Sequence, residues 1–246
     1  ADFNLRAESS FSTFLEFYSR TDSKLPEEFK NESTFSYFKG TIWPQGNSQL
    51  SKNIQRIILH DFHLKNNGDI IGQIKIQGQL ESKKWIAENS KMTPSEVSEM
   101  GLSLSVETQD YFNIMYEDKR FITLSRFNFE YTGGAHGNYG TTLYTFTKKD
   151  GRLLNLNDIL TDKGIKILPE LLEAVAKIQF KVKQGALKEN GFLVDHIPVS
   201  KEFYVTGKGI GFLYNPYEIM PFSAGQVNLL VPFTALYKYL KPEFSL

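Results

Sequence analysis

Residues 121–132 read Phe-Ile-Thr-Leu-Ser-Arg-Phe-Asn-Phe-Glu-Tyr-Thr, and residues 111–117, just before them, read Tyr-Phe-Asn-Ile-Met-Tyr-Glu. Both stretches are rich in the aromatic and β-branched residues that favour strands. Only the tripeptide Asp-Lys-Arg at 118–120 separates them, so we expect a long β-hairpin. Its second strand should place three aromatic rings on one face, those of Phe127, Phe129 and Tyr131.

Further short strands are predicted on both sides of this hairpin. They are β-favouring stretches bounded by turn residues: Thr34–Phe38, Tyr139–Thr147, Glu202–Thr206, Ile210–Asn215 and Val227–Val231. Ile70–Leu80 alternates apolar and polar residues, and we expect a strand there too. Tight turns are indicated by Asp150-Gly151 and by Gly207-Lys208-Gly209.

Two longer amphipathic helices are predicted from apolar residues at helical spacing. The first has Asn47 or Ser48 as its N-cap and carries Leu50, Ile54, Ile57, Ile58 and Phe62. The second ends near Gly185 and carries Leu168, Leu171, Leu172, Val175 and Ile178. A short capped turn is expected at Asn155–Thr161. Short helices are expected at Phe233–Leu240 and, from the capping box Thr93–Glu96, up to Gly101.

Runs of strands interrupted by single helices indicate an α+β fold with mainly antiparallel sheets. We expect an N-terminal α+β region at 1–110 and a C-terminal domain at 111–246. The first region should contain a polar helical insert at 81–110, anchored by Trp85 and Ile86. A chain of 246 residues with 41% hydrophobic content can bury a sizeable core, so both regions should pack as one compact unit.

The composition excludes several classes of function. The 28 basic residues balance 28 acidic ones, so no single-sign field exists to hold a nucleic-acid backbone. The lack of cysteine removes disulfides, thiolate nucleophiles and sulfur-ligated zinc. No apolar run reaches the roughly 20 residues of a transmembrane helix. The chain begins at Ala1 rather than Met, as expected of a processed or trimmed product, and removal of an export signal or of a lipid-anchoring segment is one origin of such a start.

Two stretches of the chain carry a family resemblance. The first is Phe-Glu-Tyr-Thr-Gly-Gly-Ala-His-Gly at 129–137, followed by the Asp150-Gly151 turn and Leu-Asn-Leu-Asn-Asp at 154–158. The second runs from Phe203 through Phe-Leu-Tyr-Asn-Pro-Tyr-Glu-Ile at 212–219 to Gly225. Residues 111–246 thereby resemble an extracytoplasmic domain of unknown function. That domain is found C-terminally in lysozyme-sensing, RsiV-like anti-sigma factors and beside the catalytic domain of some peptidoglycan deacetylases.

This resemblance implies a binding module at the cell envelope, either periplasmic or exposed at the cell surface. A lipid anchor in the full-length protein is one mode of attachment that it suggests. It implies no activity, because the deacetylases do their chemistry in a separate domain for which this chain has no room. The partners that it suggests are a protein such as lysozyme and a cell-wall glycan.

The candidate ligand-binding residues lie in two segments. Clustered glycines let a backbone approach a partner closely, and half-exposed tyrosines suit a binding face. The alternative for the first segment is a tight connection between strands, and for the second it is packing of the rings against the sheet. The candidates are Tyr131, Gly133, Gly134, His136, Gly137 and Tyr139, followed by Tyr214, Asn215, Tyr217, Glu218 and Phe222.

Candidate catalytic and metal-binding residues are few. His60 and His63 are spaced to place both imidazoles on one helix face, as in a zinc site, but no third ligand is evident in the sequence. Asp195, His196 and Ser200 have the residue types of a hydrolytic triad, yet no G-x-S-x-G elbow occurs. We therefore expect no catalytic residue, no metal and no cofactor.

Three hypotheses of function follow. The leading one is a non-enzymatic, envelope-associated binding domain that contacts a protein or a cell-wall glycan through residues 133–139 and 215–222. The second is an envelope hydrolase or metal-dependent enzyme that uses His60, His63 or His136. The third is a structural or assembly protein whose exposed sheet edge pairs with another chain.

Overall fold

The computed structural model describes residues 11–21, 34–93, 95–96 and 105–244. Within them the strands form two sheets, and the larger has five strands in the order β1-β2-β3-β4-β5. These strands are β1 (Phe11–Thr21), β2 (Thr34–Pro44), β3 (Val106–Glu117), β4 (Phe121–Tyr131) and β5 (Asn138–Thr147). β1 pairs with β2 antiparallel, whereas β2 and β3 run parallel. The predicted hairpin of β3 and β4 is confirmed.

The smaller sheet has three antiparallel strands in the order β6-β7-β8. Its strands are β6 (Phe203–Val205), β7 (Gly209–Tyr214) and β8 (Val227–Pro232). All six residues of β7 are buried, and alternate residues of β8 are buried, which is the pattern of a central strand beside an edge strand. Two mostly antiparallel sheets with interspersed helices confirm the predicted α+β class.

The described residues contain five α-helices: α1 (Gln49–Asp61), α2 (Ile70–Asn89), α3 (Leu156–Ile159), α4 (Asp162–Gln179) and α5 (Phe233–Leu236). Single 3₁₀ turns lie at Lys188–Asn190, Phe222–Ala224, Tyr237–Tyr239 and Pro242–Phe244. Side-chain caps fix the starts of the two amphipathic helices. The Ser48 hydroxyl accepts the Ser51 N–H before α1, and the Thr161 hydroxyl accepts the Gly164 N–H before α4.

The predicted helix α1 is confirmed, and the capped turn predicted at Asn155–Thr161 forms the single helical turn α3. Helix α4 differs from its prediction at its end. It stops at Gln179 rather than near Gly185, because residues after Phe180 leave the helical hydrogen-bond ladder and Lys181 takes a positive φ of 54°. Ile178, which was predicted to lie on the buried stripe, is 79% exposed.

The strand predicted at Ile70–Leu80 is wrong, since these residues form the first half of α2. The buried positions recur at helical spacing as Ile70, Ile74, Gly78, Ser82 and Trp85. Residues 81–89, predicted to begin a polar insert, complete the same helix. The capping box is confirmed by mutual bonds between Thr93 and Glu96, and the rest of that helix up to Gly101 lies outside the described residues.

The chain divides into two compact units. The first consists of residues 1–113 and 126–139, and the second of residues 114–125 and 140–246, so β3, β4 and β5 contribute residues to both. The second unit has its own hydrophobic core, in which α4 packs on the smaller sheet through Leu168, Leu172, Phe212, Leu229 and Val231, all 0% exposed. None of the described helices is both long and apolar enough to cross a membrane.

Candidate functional site

In the first unit, α1 and α2 cover one face of the sheet around β2. Gly78 of α2 allows a close approach, because a Cβ there would lie 2.9 Å from the Tyr37 ring. Phe35 packs its ring against Trp85 at 5.9 Å. Since side chains alternate between the faces of a strand, Phe38 and Gly40 belong to the opposite face.

Four aromatic side chains form a continuous row across that opposite face. Phe38 contacts Tyr111 with ring centroids 5.7 Å apart, Tyr111 contacts Phe127 at 5.2 Å, and Phe127 contacts Tyr139 at 6.0 Å. One ring comes from each of β2, β3, β4 and β5. All four are partly exposed. We call Phe38, Tyr111, Phe127 and Tyr139 the aromatic row.

β1 extends this surface beyond Phe38. Phe17 lies directly opposite Phe38 and Leu15 directly opposite Gly40 in the antiparallel register. Residues so paired share a face of the sheet. Both are unusually exposed for apolar side chains, Leu15 at 56% and Phe17 at 64%. The surface therefore has an apolar end at β1.

A cavity of about 390 Å³ lies at this apolar end, lined by Thr13, Leu15, Phe38, Gly40, Thr41, Tyr111, Phe112 and Asn113. The lining combines aromatic and aliphatic residues with a glycine, two threonines and one asparagine. Among the described residues of the lining there is no Asp, Glu, Lys, Arg or His. These lining residues therefore offer no charged partner to a ligand, which favours an uncharged one.

The face of the sheet that α1 and α2 cover, away from the aromatic row, carries a cluster of charged side chains. Arg126 forms a bidentate ion pair with Asp110, in which both hydrogen bonds are 2.8 Å long. Its guanidinium also lies 3.4 Å from the carboxylate of Asp61, at the end of α1. Lys39 lies 3.6 Å from Asp110. Burial lowers the pKa of Lys39, although Asp110 opposes the shift. The two cations and two anions balance, so this cluster joins α1 to the sheet.

The glycine segment after β4 is a tight connection with its own hydrogen bonds. Gly133 and Gly134 have positive φ values of 91° and 99°, which only glycine adopts readily. The Tyr131 hydroxyl donates to the Gly134 carbonyl at 3.0 Å. His136 is exposed, with its Nδ1 2.9 Å from the Gly137 carbonyl oxygen. This connection leads directly into Tyr139 of the aromatic row.

In the second unit, two of the candidates in segment 214–222 have structural roles. Tyr214 is only 1% exposed and donates to the Pro198 carbonyl at 2.7 Å, and burial raises the pKa of its hydroxyl. It is a core residue and not a surface for a ligand. Asn215 uses its amide to bond both backbone groups of Thr141.

The exposed part of this segment is Tyr217, which is 54% exposed and has a positive φ of 71°. Its ring lies 5.8 Å from that of Phe222. The turn is held by bonds from Tyr217 N–H to the Met220 carbonyl and from Asn215 N–H to the Glu218 carboxylate. A non-glycine residue at positive φ is strained, and such strain is concentrated at functional positions.

The structure does not bring the candidate catalytic residues together. The helix ends at Asp61, and His63 lies beyond it with a positive φ of 53°, so the helical spacing expected for His60 and His63 does not apply. His60 and His63 are exposed, and His60 pairs with Asp61. Among the residues described, no group of three or more acidic, histidine or cysteine side chains could hold a metal ion.

The candidate triad is also dispersed among separate partners. Asp195 pairs with Lys188, His196 lies 3.2 Å from the Glu173 carboxylate, and the Ser200 hydroxyl donates to the Leu213 carbonyl. A nucleophile and its base must share a hydrogen bond, so this set lacks triad geometry.

The sequence missed most of the aromatic row. Tyr139 was a candidate and Phe127 was placed on an aromatic face, whereas Phe38 and Tyr111 were assigned only to strands. The signal that could have found them is the alternation of β2, in which Phe35 and Tyr37 are buried on one side and Phe38 is left for the other.

Comparisons with known proteins agree with this architecture. A family model described as a protein of unknown function (DUF3298) matches residues 157–234. No curated protein matches the chain. A solved DUF3298 family member from Bacteroides fragilis is 21% identical, with a TM-score of 0.78 over 95% of this chain and 94% of that one. A DUF3298 family protein from Pseudomonas aeruginosa is 15% identical, with a TM-score of 0.65 over 96% of each chain. The chain therefore shares its fold with these two proteins and is similar to DUF3298 at residues 157–234.

Proposed function

We propose that this chain is a non-enzymatic binding domain of the cell envelope that holds a cell-wall glycan on the aromatic row. The observation that carries the proposal is the aromatic row itself, four partly exposed rings in unbroken contact beside an uncharged cavity. Buried aromatic rings need no explanation, but a row of partly exposed ones on a sheet face marks a binding surface.

The chemistry of the row suits a sugar chain. A sugar ring has an apolar face of C–H groups and an edge of hydroxyls. Phe38 and Phe127 offer apolar faces only, while Tyr111 and Tyr139 add hydroxyls that can bond to a polar edge. Asn113 and Thr13, both exposed at the cavity, supply further neutral hydrogen-bonding groups.

The same site gives no support to glycan cleavage. Glycosidases flank the bond that they break with two carboxylates. Among the described residues that line the cavity there is no carboxylate. The resemblance to RsiV-like and deacetylase-associated domains supports an extracytoplasmic location, where cell-wall glycan is the available polymer.

The test is co-sedimentation with purified insoluble peptidoglycan. Tyr111→Leu, Phe127→Leu and Tyr139→Leu keep apolar bulk but remove a flat ring, so each should weaken retention about tenfold. Tyr237→Leu is the matched control, because Tyr237 is 62% exposed and lies outside the row. Circular dichroism verifies folding. Wild-type protein that stays in the supernatant would rule out the proposal.

A protein partner at Tyr217 is a second candidate function. A large, exposed aromatic side chain on a hydrogen-bonded, strained turn is the type of residue that dominates protein interfaces. The partner suggested by the family resemblance is a lysozyme. Tyr217→Ala should weaken binding to immobilised lysozyme in surface plasmon resonance, whereas Tyr237→Ala should not. A wild-type protein without any lysozyme signal would remove this candidate.

A further inference from the structure

We infer that the cavity at the β1 end of the aromatic row selects N-acylated amino sugars, with the acyl group seated beside Leu15. The inference rests on the proposed glycan-binding function and names the class of sugar. It concerns the sugar in the cavity, which Phe38 and Tyr111 of the aromatic row help to line, whereas Phe127 and Tyr139 would bind neighbouring sugars of any kind.

The apolar wall of the cavity is built around a close contact between two strands. A Cβ at position 40 would lie 2.7 Å from Leu15 Cδ2 and 3.3 Å from Phe38 Cζ, so both side chains pack directly against the glycine backbone. Leu15 thereby forms a wall whose outer side faces solvent. A small alkyl group of a ligand would complete this packing, since it buries apolar area against Leu15 and Phe38.

The polar part of the lining matches an amide. Thr13 and Asn113 offer a hydroxyl and a carboxamide, which together can both donate to a carbonyl and accept from an N–H. An acylamino group presents those two functions next to a small alkyl group. A plain hydroxyl sugar lacks the alkyl group and would leave the apolar wall uncovered.

Charge excludes the free amino sugar. A protonated amine in this cavity would meet no carboxylate among those lining residues that the structure describes, and it would lose hydration without gaining a partner. A volume of about 390 Å³ is also suited to a sugar ring with one substituent, because small-molecule sites span about 300–1,000 Å³. Size, polarity and charge of the cavity thus agree on one class of ligand.

The experiment compares three soluble tetrasaccharides by isothermal titration calorimetry at pH 6, those of N-acetylglucosamine, glucosamine and glucose. The acetylated sugar should bind at least about tenfold more tightly than the other two, a discrimination typical of one small alkyl group in an apolar site. Equal affinity for all three tetrasaccharides, combined with about tenfold weaker binding in Tyr111→Leu, would overturn the inference while the proposed function stands. No binding of any tetrasaccharide by protein that sediments with peptidoglycan would also overturn it.

Variants at position 15 test directly whether the acyl group binds beside Leu15. Because Leu15 is exposed on β1, we expect these variants to fold. Leu15→Phe fills the cavity and should reduce the preference for the acetylated sugar at least fivefold. Leu15→Ala widens it and should shift the preference toward an N-propionylated tetrasaccharide. Ile76→Ala, on an equally exposed apolar residue of α2, is the control and should change neither value. Unchanged preferences in both position-15 variants would place the selection elsewhere.

Discussion

The carboxamide of Asn215 pairs with the backbone of Thr141 as a second strand would, accepting the Thr141 N–H at 2.7 Å and donating to the Thr141 carbonyl at 3.2 Å. Gln226 adds a bond to the same Asn215 oxygen at 2.9 Å. Asn215 was a candidate ligand-binding residue in the sequence. Its polar groups are instead used within the second unit.

Asn215→Ala should therefore lower the free energy of unfolding. The change leaves the Thr141 backbone groups without their partner, and we expect a loss of about 1–3 kcal/mol. Urea denaturation monitored by fluorescence measures it. Asn228→Ala is the control, since Asn228 is exposed on β8 and its replacement should cost less than about 0.5 kcal/mol. Equal effects of the two variants would contradict the structural role of Asn215.

The buried carboxyl of Glu202 should make stability depend on pH. Burial raises its pKa, against the opposing effect of the Leu143 N–H that donates to it. The folded state therefore binds this proton more tightly than the unfolded chain does. The resulting stabilisation is complete below the unfolded pKa of about 4.3 and is lost as the pH rises through the raised pKa.

Glu202→Gln keeps an oxygen for the Leu143 N–H and cannot ionise. The melting temperature of this variant minus that of the wild type should increase between pH 4 and pH 7. Glu88→Gln, at an exposed position of α2, should show no such trend. If the difference in melting temperature between Glu202→Gln and the wild type stays constant from pH 4 to pH 7, ionisation of Glu202 does not destabilise the folded state.

The positive φ of Tyr217 predicts an inverted order of two substitutions. Glycine accepts this backbone conformation freely, whereas alanine keeps the strain. We expect Tyr217→Gly to be about 1 kcal/mol more stable than Tyr217→Ala, although glycine is the less stabilising residue at ordinary positions. Chemical denaturation of both variants gives the comparison, and an alanine variant at least as stable as the glycine variant would contradict it.

Asp110 should be important for the stability of the first unit. Asp110→Asn removes a charge that Arg126 and Lys39 share in a partly buried cluster, and we expect a loss of about 1.5–3 kcal/mol. Asp195→Asn breaks an ion pair with Lys188 in which both side chains are more than half exposed, and it should cost less than about 1 kcal/mol. If both variants lose the same stability, the cluster does not hold α1 to the sheet.

Local patterns in the sequence were sufficient where the contacts are local. α1 was predicted because Leu50, Ile54 and Ile58 are large, apolar and helically spaced. α2 was not, because it faces the sheet through the small residues Gly78 and Ser82. Its large apolar residues Ile76 and Leu80 are exposed, and together with Ile74 they imitate the alternation of a strand.

The candidate site was harder to predict than the elements that carry it. The aromatic row depends on the pairing of β2 with β3, which are far apart in the sequence and run parallel. No short pattern places Phe38 beside Tyr111. The glycines at 133–137 were recognisable as a tight connection, but the position of Tyr139 in the row requires the register of the whole sheet.

The parallel pairing of β2 and β3 also has a consequence for how the molecule forms. Residues 45–105 must return the chain to the other end of the sheet before Phe38 can contact Tyr111. Closing so long a loop costs conformational entropy before the contacts between β2 and β3 can stabilise it. Pairing of β1 with β2 and of β3 with β4 needs far less of the chain. We therefore expect refolding to be limited by the joining of these two halves, with the rings left open to water until that step.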